Sequence, residues 1–395
     1  MTSTRALLAR NRDFRRLFLA SVVSLAGDWF SFVAVASLVT ELTGRRGAPA
    51  YVYAATVIPV FLASPIAGMI ADRFDRRRTL VIADLARVPI ALALGLAAYW
   101  HSVTLAVTST ILLAVGASFS DPIASAATPN LVAEEDLASA QALMGAVWGS
   151  MLMVGAGIGG VVAEVFGRQT AFAIDAASFL ISAIAIAGIR RPMQEGRASQ
   201  TGSIREAIAY IRATPTVLRL IFAKVGVSAA NGIVGLLPAF ATRRFAFSDI
   251  ATGLLFAARG LGAMLGPIFA RGAIGATPTV RKIIIVCGIS TLSYAAAYAV
   301  FATVHVFALA LALVVLAHLG GGAQWSLSTY GLQRETPDHV RGRVMALDYG
   351  LATLAIGVSA IVAGLATDYA GEAATTWWLC GVGTIYGIGW LIWSL

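Results

Sequence analysis

Long apolar runs constrain this chain more than any other feature of its sequence. Crossing the hydrocarbon core of a bilayer takes an α-helix of about 20 mostly apolar residues, and we count twelve stretches of that kind. A membrane-spanning barrel would instead show alternating segments of about 10 residues, which are absent here. The predicted spans are 14–42, 49–71, 79–100, 103–125, 139–165, 169–189, 216–241, 249–271, 282–302, 304–330, 344–366 and 373–394. The sequence therefore predicts an all-α membrane protein.

Composition supports the same conclusion. Hydrophobic residues make up 58% of the 395 residues and charged residues 12%, against about 45–50% and about 25% in ordinary soluble domains. The apolar excess runs from end to end, which excludes a soluble globular protein.

The positions of the basic residues predict the orientation of the chain in the membrane. Cytoplasmic loops of membrane proteins are enriched in Lys and Arg. With a cytoplasmic N-terminus, the inner segments carry 21 basic residues and the outer loops 5. We therefore expect a multi-pass protein with both termini in the cytoplasm. The net charge of +9 is then a topological signal, and no nucleic-acid partner is expected.

The spans divide into two similar halves. The longest polar interruption, 190–215, separates six spans from six, and an offset of about 202 residues places Pro65 over Pro267 and Asp136 over Asp338. Repeated bundles of this kind place a substrate site between them. We expect an N-terminal six-helix bundle at 1–189, a cytoplasmic linker with a short amphipathic helix capped by Ser203, and a C-terminal six-helix bundle at 216–395.

A charged motif lies between the second and third spans. Residues 68–78 read Gly-Met-Ile-Ala-Asp-Arg-Phe-Asp-Arg-Arg-Arg, which resembles the signature Gly-x-x-x-Asp-Arg-x-Gly-Arg-Arg of the major facilitator superfamily. Residues 27–30, 84–87, 173–175 and 341–344 make the chain similar to the bacterial efflux branch that includes macrolide, multidrug and siderophore exporters. The resemblance covers essentially the whole chain.

The resemblance implies the major facilitator fold, with two pseudo-symmetric six-helix bundles that alternate access to a central cavity in the bacterial cytoplasmic membrane. It also implies a conformational latch between the bundles, in which the charged motif after span 2 contacts the start of span 11. We assign this latch to Gly68, Asp72, Arg73, Asp75, Arg76, Arg77, Asp84, Arg87 and Arg343. The alternative is that these arginines only enforce orientation.

Three departures from the family pattern matter. Asp75 replaces a glycine of the signature. Span 5 keeps the close-packing glycines Gly155, Gly159 and Gly160 but lacks the proline of the antiporter pattern. Span 4 contains no arginine, so the motif linked to proton coupling in the better-known drug antiporters is absent, and any proton coupling must use other residues.

Polar residues near the middle of spans are candidates for the transport site. A charge at the bilayer centre costs at least about 2.5–3.5 kcal/mol on insertion scales. Asp28, in span 1, is the first candidate for a proton carrier or cation contact; the alternatives are an ion pair with Arg259 or a structural carboxylate. Arg259 could neutralise Asp28 or attract an anionic substrate. His318 could handle protons or simply hydrogen-bond to a neighbouring helix, and Asn231 lies near the middle of span 7.

Other charged groups lie off the centre. Asp84 and Arg87, three residues apart in span 3, are expected to pair. Lys224 could snorkel toward the cytoplasm, in a structural role.

The sequence lacks the patterns of enzyme chemistry. Its four histidines are scattered, and neither a metal-ligand cluster nor a phosphate-binding loop is present, so we expect no enzyme, no cofactor and no metal. The predicted function is export of a small amphipathic or lipophilic compound, drug-like or siderophore-like, by a monomer in contact with membrane lipids, with protons as the expected exchanged ion. The alternatives are a lipid, lysolipid or nutrient transporter of the same fold, or a non-transporting membrane receptor.

Overall fold

The computed structural model describes residues 4–194, 204–245, 249–275 and 278–395, and the regular structure in these ranges is helical. The helices are α1 Thr4–Arg10, α2 Arg12–Thr43, α3 Ala48–Arg73, α4 Arg76–Tyr99, α5 Val103–Ala117, α6 Ser120–Leu131, α7 Glu134–Phe166, α8 Arg168–Ala187, α9 Ile204–Ala213, α10 Pro215–Ala230, α11 Gly232–Arg244, α12 Asp249–Ile274, α13 Val280–Phe301, α14 Phe307–Glu335 and α15 Asp338–Ser394.

The helices account for the predicted spans. Ten continuous segments of the described chain are long and apolar enough to cross a membrane. One of them, α15, is interrupted at Gly371, whose φ of 82° and ψ of 167° are not helical and suit a residue without Cβ. It therefore supplies two spans, and α3 adds the apolar stretch Ala48–Ala63. The predicted all-α fold with twelve spans is confirmed.

Two of the spans are broken. The fourth divides into α5 and α6, and the seventh into α10 and α11 at Asn231. Irregular backbone at membrane depth is tolerated where protein or a water-filled cavity surrounds it. Asn231 therefore lies at a break of the helix, which the sequence pattern did not predict.

The chain folds into two compact units. The first consists of Met1–Gly44, Ala55–Ala198 and Phe247–Ala257. In it α2 packs against α7 and α8, and α4 packs against α5 and α8. The buried residues of α4 follow helical spacing at Leu80, Asp84, Arg87, Ala91 and Leu94, so one face of this helix carries two charges into the interior.

The second unit consists of Arg45–Ala54, Ser199–Ala246 and Ala258–Leu395. Here α13 packs against α14, and α10, α11 and α13 pack against α15. Helix α9 occupies the predicted linker, and Ala207 and Ile211 anchor it to the hydrophobic core of this unit; its predicted cap, Ser203, lies outside the described residues. The bundle boundaries at 189 and 216 stay a prediction.

Candidate functional site

The first unit contains a network of buried charges around Arg87 of α4. The side chain of Arg87 is 1% exposed and donates to the carboxylate of Asp28 on α2, which is 28% exposed. A second nitrogen of the same guanidinium lies 3.3 Å from the hydroxyl of Ser24 and 3.9 Å from a carboxylate oxygen of Asp84. Asp28 thus pairs with Arg87, a different partner from Arg259, which was considered from the sequence. The guanidinium of Arg87 lies within ion-pair distance of both Asp28 and Asp84.

Two carboxylates of the network, those of Asp84 and Asp175, contact hydroxyl groups. Asp84 accepts a hydrogen bond of 2.6 Å from Ser182 on α8. Asp175 on α8 is completely buried, and its carboxylate accepts from the hydroxyl of Ser31. The hydroxyl of Ser178 donates to the backbone carbonyl of Asp175 at 2.7 Å and lies 3.5 Å from the carboxylate. In the sequence, Asp175 belongs to the stretch 173–175 that contributes to the family resemblance, and no role of its own was predicted for it. The hydroxyl residues three and seven positions after it share its helix face and are the signal that could have identified it.

Two glycines, one on α2 and one on α5, leave room for the side chains of the network. A Cβ at Gly27 would lie 2.6 Å from Oδ1 of Asp175 and would also collide with Ser178. At Gly116, on α5, a Cβ would lie 2.7 Å from Cγ of Arg87. Glycine at both positions therefore lets the neighbouring helices approach the charged side chains closely.

A polar cluster in the second unit surrounds the break at Asn231. Its amide oxygen accepts from the hydroxyl of Tyr53 at 2.9 Å, and its amide nitrogen lies 3.3 Å from the hydroxyl of Tyr294. Arg259 donates to Tyr53 at 3.3 Å. Asn231 and Arg259, predicted separately, are thus joined by a tyrosine that sequence reasoning missed.

His318 belongs to the same neighbourhood. Its Nε2 lies 2.9 Å from the hydroxyl of Tyr298, and its ring lies edge-on to Tyr294 at 5.4 Å between centroids. Tyr294 and Tyr298 are four residues apart on α13 and share one face, a spacing that could have indicated them.

Lys224 forms a buried ion pair. Its ammonium group contacts the carboxylate of Asp348, with 2% and 1% of the two side chains exposed, and lies 5.0 Å from the ring centroid of Trp325. The expectation that Lys224 snorkels is wrong, because its partner on α15 holds the charge inside the unit.

The predicted latch residues of α3 and the following turn have diverse environments. Gly68 and Asp72 lie on α3, outside the residues whose surroundings the structure describes, and Arg73 is exposed. Asp75 caps α4 by accepting from the backbone N–H of Arg78 at 2.8 Å. The residue that replaces the glycine of the signature thus defines where the next helix begins.

Arg343, the latch residue near the start of span 11, lies in the second unit. Its guanidinium pairs with the carboxylate of Glu206 at 3.2 Å. This contact joins the beginning of α15 to the linker helix α9.

Arg76 and Arg77 bind backbone carbonyls. Arg76 donates to the carbonyl oxygens of Ala126 at 2.8 Å and Met193 at 3.1 Å, and Arg77 donates to that of Ile189 at 2.7 Å. Ile189 lies just past the C-terminus of α8, where a cation is favoured. The sequence pattern did not predict this anchoring role, and the latch itself stays a prediction.

The span-5 glycines lie at close helix approaches in the first unit. A Cβ at Gly155 would lie 3.0 Å from the carbonyl oxygen of Ala26, and one at Gly159 would lie 2.8 Å from Cα of Phe30. At Gly160 a Cβ would lie 3.0 Å from Cα of Gly253.

A charged cluster near the first predicted outer loop surrounds Asp368 in the second unit. Its carboxylate accepts from Arg45 at 2.6 Å, from the backbone N–H of Gly47 at 2.9 Å and from Tyr51 at 3.1 Å. Partial burial acts to raise the pKa of Asp368, but these hydrogen bonds outweigh it and hold the pKa below the usual 3.8.

The first unit has a similar cluster around Arg168. This guanidinium binds Glu41 at 2.6 Å and Asp249 at 3.0 Å. One basic residue of each of these two predicted outer loops, Arg45 and Arg168, therefore pairs with acidic residues.

The sequence matches a known protein family. Residues 2–388 match the major facilitator family described as "Transmembrane secretion effector". The chain belongs to this family. The chain is therefore a transporter of the major facilitator type and not an enzyme.

Two curated relatives illustrate the similarity. The chain is 27% identical over 386 residues to the multidrug efflux pump Tap of Mycolicibacterium fortuitum, in an alignment that covers 91% of this chain and 90% of Tap. It is 26% identical over 249 residues to the uncharacterized MFS-type transporter YkuC of Bacillus subtilis, an alignment that spans 58% of this chain and 57% of YkuC.

A solved structure supports the fold. The crystal structure of a POT family transporter in complex with 5-aminolevulinic acid superposes with a TM-score of 0.80 at 10% identity, covering 97% of this chain and 96% of that one. At this identity the likeness concerns the fold alone.

Proposed function

We propose that this transporter exports a small amphipathic or lipophilic compound from the bacterial cytoplasm by alternating access, in exchange for protons. It would act as a monomer in the cytoplasmic membrane with both termini inside. The observation that carries the proposal is the buried network of Asp28, Arg87, Asp84 and Asp175 on three membrane helices. Charges at membrane depth are costly and mark ion or substrate pathways.

The neighbourhood of Asp28 supports an amphipathic substrate. The next residue, Trp29, lies 6.4 Å from Trp148 and 6.0 Å from Phe256 between ring centroids, and 43% of Trp148 is exposed. A partly exposed carboxylate and aromatic rings in the same unit can offer separate contacts to the polar and the apolar end of one molecule. The name of Tap, a multidrug efflux pump, agrees with this substrate class.

Accumulation of a fluorescent lipophilic dye in cells with and without the protein tests the proposal. We expect lower accumulation in cells that contain the protein, and loss of that difference when a protonophore is added. The Asp28→Asn variant should lose most of the export, whereas Glu135→Gln, an exposed carboxylate in the first turn of α7, should keep it. Export that survives the protonophore contradicts proton exchange.

Reconstitution in vesicles separates the alternatives. Substrate-dependent proton flux supports exchange, binding without flux supports a receptor, and movement of a labelled lysolipid between leaflets supports the lipid transporter.

The latch is a second part of the proposal. Residues 68–78 span the end of α3 and the start of α4, and the anchoring of Arg76 and Arg77 to backbone carbonyls would hold the segment in a defined place. We expect Asp72→Asn to change the balance of conformations, measured by cysteine accessibility; an unchanged balance contradicts the latch.

A further inference from the structure

The charges of the buried network in the first unit do not balance. The guanidinium of Arg87 has two carboxylates within ion-pair distance, those of Asp28 and Asp84. A third carboxylate, that of Asp175, accepts from Ser31, which lies about one turn from Asp28 on α2. With every group ionised the network would carry two uncompensated negative charges. An ionised carboxylate in an apolar interior is expensive unless a cation or several donors compensate it, and the usual response is protonation.

The partners of the three carboxylates indicate where a proton would bind. Asp28 contacts the guanidinium directly, and Asp84 has the same cation at 3.9 Å as well as a hydroxyl donor. The carboxylate of Asp175 accepts from the hydroxyl of Ser31, whereas the hydroxyl of Ser178 donates to the backbone carbonyl of Asp175 at 2.7 Å and lies 3.5 Å from the carboxylate. Its carboxylate is the most buried of the three and has the weakest compensation.

Titratable groups on the elements packed against α8 are few at this depth. Helix α2 presents Asp28, which adds negative charge, and α4 presents Asp84 and Arg87. On α7 the titratable residues lie at the helix ends, at 134–136 and at Glu164. The electrostatic environment of Asp175 is therefore set by the network itself.

The hydroxyl of Ser31 suits both charge states of Asp175. A serine hydroxyl can donate to a carboxylate and, after rotation, accept from a carboxylic acid. Proton loading then forms one O–H bond on Asp175 and breaks none in the protein, and release returns the proton to water. Asp28, on the same helix as Ser31, is the partly exposed carboxylate of the network.

We propose that Asp175 is the proton-binding site of this transporter, and that Asp28, held by Arg87, is the partly exposed group through which the proton reaches it. This assignment rests on the proposed proton exchange and moves the storage of the proton from Asp28, the first candidate from the sequence, to a carboxyl group on α8. Gly27 then has a function, because its missing Cβ leaves room for the carboxyl group of Asp175.

Infrared difference spectroscopy of the purified full-length protein in lipid vesicles, titrated with pH in the absence of substrate, tests the assignment. We expect the stretching band of one protonated carboxyl group per chain, exchanging with deuterium. Asp175→Asn should abolish this band. Asp84→Asn, the matched control that lies near the same arginine, should keep it while weakening proton binding, since it removes a neighbouring negative charge. A band that survives in Asp175→Asn, or is lost only in Asp84→Asn, overturns the proposal.

A milder variant covers the case in which Asp175→Asn does not fold. Ser31→Ala removes a hydroxyl donor to the ionised carboxylate and should strengthen proton binding by about tenfold. An unchanged titration of the band in Ser31→Ala overturns the proposal.

The experiments distinguish this proposal from the proposed function. Protonophore-insensitive export together with an intact band in the wild type refutes proton exchange, and with it the transport role of Asp175, which would then hold a structural proton. Protonophore-sensitive export without a protonated carboxyl band refutes the site and leaves the function standing.

Discussion

The buried pair of Lys224 and Asp348 gives a sharp test of how charge stabilises the second unit. Replacing Lys224 with Met removes the cation but keeps an unbranched side chain of similar length. Asp348, 1% exposed, would then be an unpaired carboxylate in the interior of the unit. Breaking a buried ion pair from one side typically costs about 3–5 kcal/mol, so we expect Lys224→Met to lower the free energy of unfolding by about that amount.

The double variant Lys224→Met/Asp348→Leu should be much less damaging. Replacing both charges with apolar groups removes the desolvation cost of both ions, and such replacements are often neutral or stabilising by about 1–4 kcal/mol. The double-mutant cycle therefore predicts a coupling energy of at least about 3 kcal/mol between the two residues.

Unfolding in mixed micelles, followed by tryptophan fluorescence, measures these free energies. Trp325 is a local reporter, because its ring centroid lies 5.0 Å from the ammonium group of Lys224. If the single variant loses less than about 1 kcal/mol, or if the double variant is as unstable as the single one, the pair does not stabilise the unit in the way the geometry indicates.

Three further perturbations have defined outcomes. Gly27→Leu should prevent the close packing against Asp175 and abolish stable protein, measured by size-exclusion chromatography in detergent, whereas a fully stable variant contradicts the packing. Tyr298→Phe should cost about 1–3 kcal/mol by leaving the ring nitrogen of His318 without this hydroxyl, and an unchanged unfolding free energy argues against the bond. Asp368→Asn should accelerate hydrogen exchange in the loop before α3. In the wild type, protection of this loop from hydrogen exchange should persist above about pH 4 and fall only in more acidic solution. The reason is that the pKa of Asp368 in the folded protein lies below the usual 3.8, and the stabilisation is lost as the pH drops through that pKa. Loss of protection near neutral pH contradicts this expectation.

Much of the fold could be predicted from the linear pattern of apolar residues. A helix in lipid must satisfy its own backbone hydrogen bonds, so each apolar run of sufficient length becomes a span whatever its neighbours are. The predicted limits of span 6, 169–189, accordingly fall close to α8, Arg168–Ala187. The break at Asn231 escaped prediction because the apolar run continues on both sides of it, although Asn231-Gly232 is a dipeptide typical of turns and could have indicated the break.

Only part of the candidate site could be predicted from the sequence. Asp28 and Arg259 stood out because a charge inside an apolar run is visible without any knowledge of packing. Their partners were not visible, because the face that a helix presents to each neighbour depends on its rotation and on which helices pack together.

Span number, helical class and the presence of costly charges therefore follow from the sequence, since each is a property of one helix and its solvent. Which charges meet, namely Asp28 with Arg87 and Lys224 with Asp348, depends on the packing of helices that are distant in sequence. In the first network, small residues such as Gly27 set how closely α2 and α8 approach, and that distance places Asp175 within reach of the hydroxyl groups that surround it.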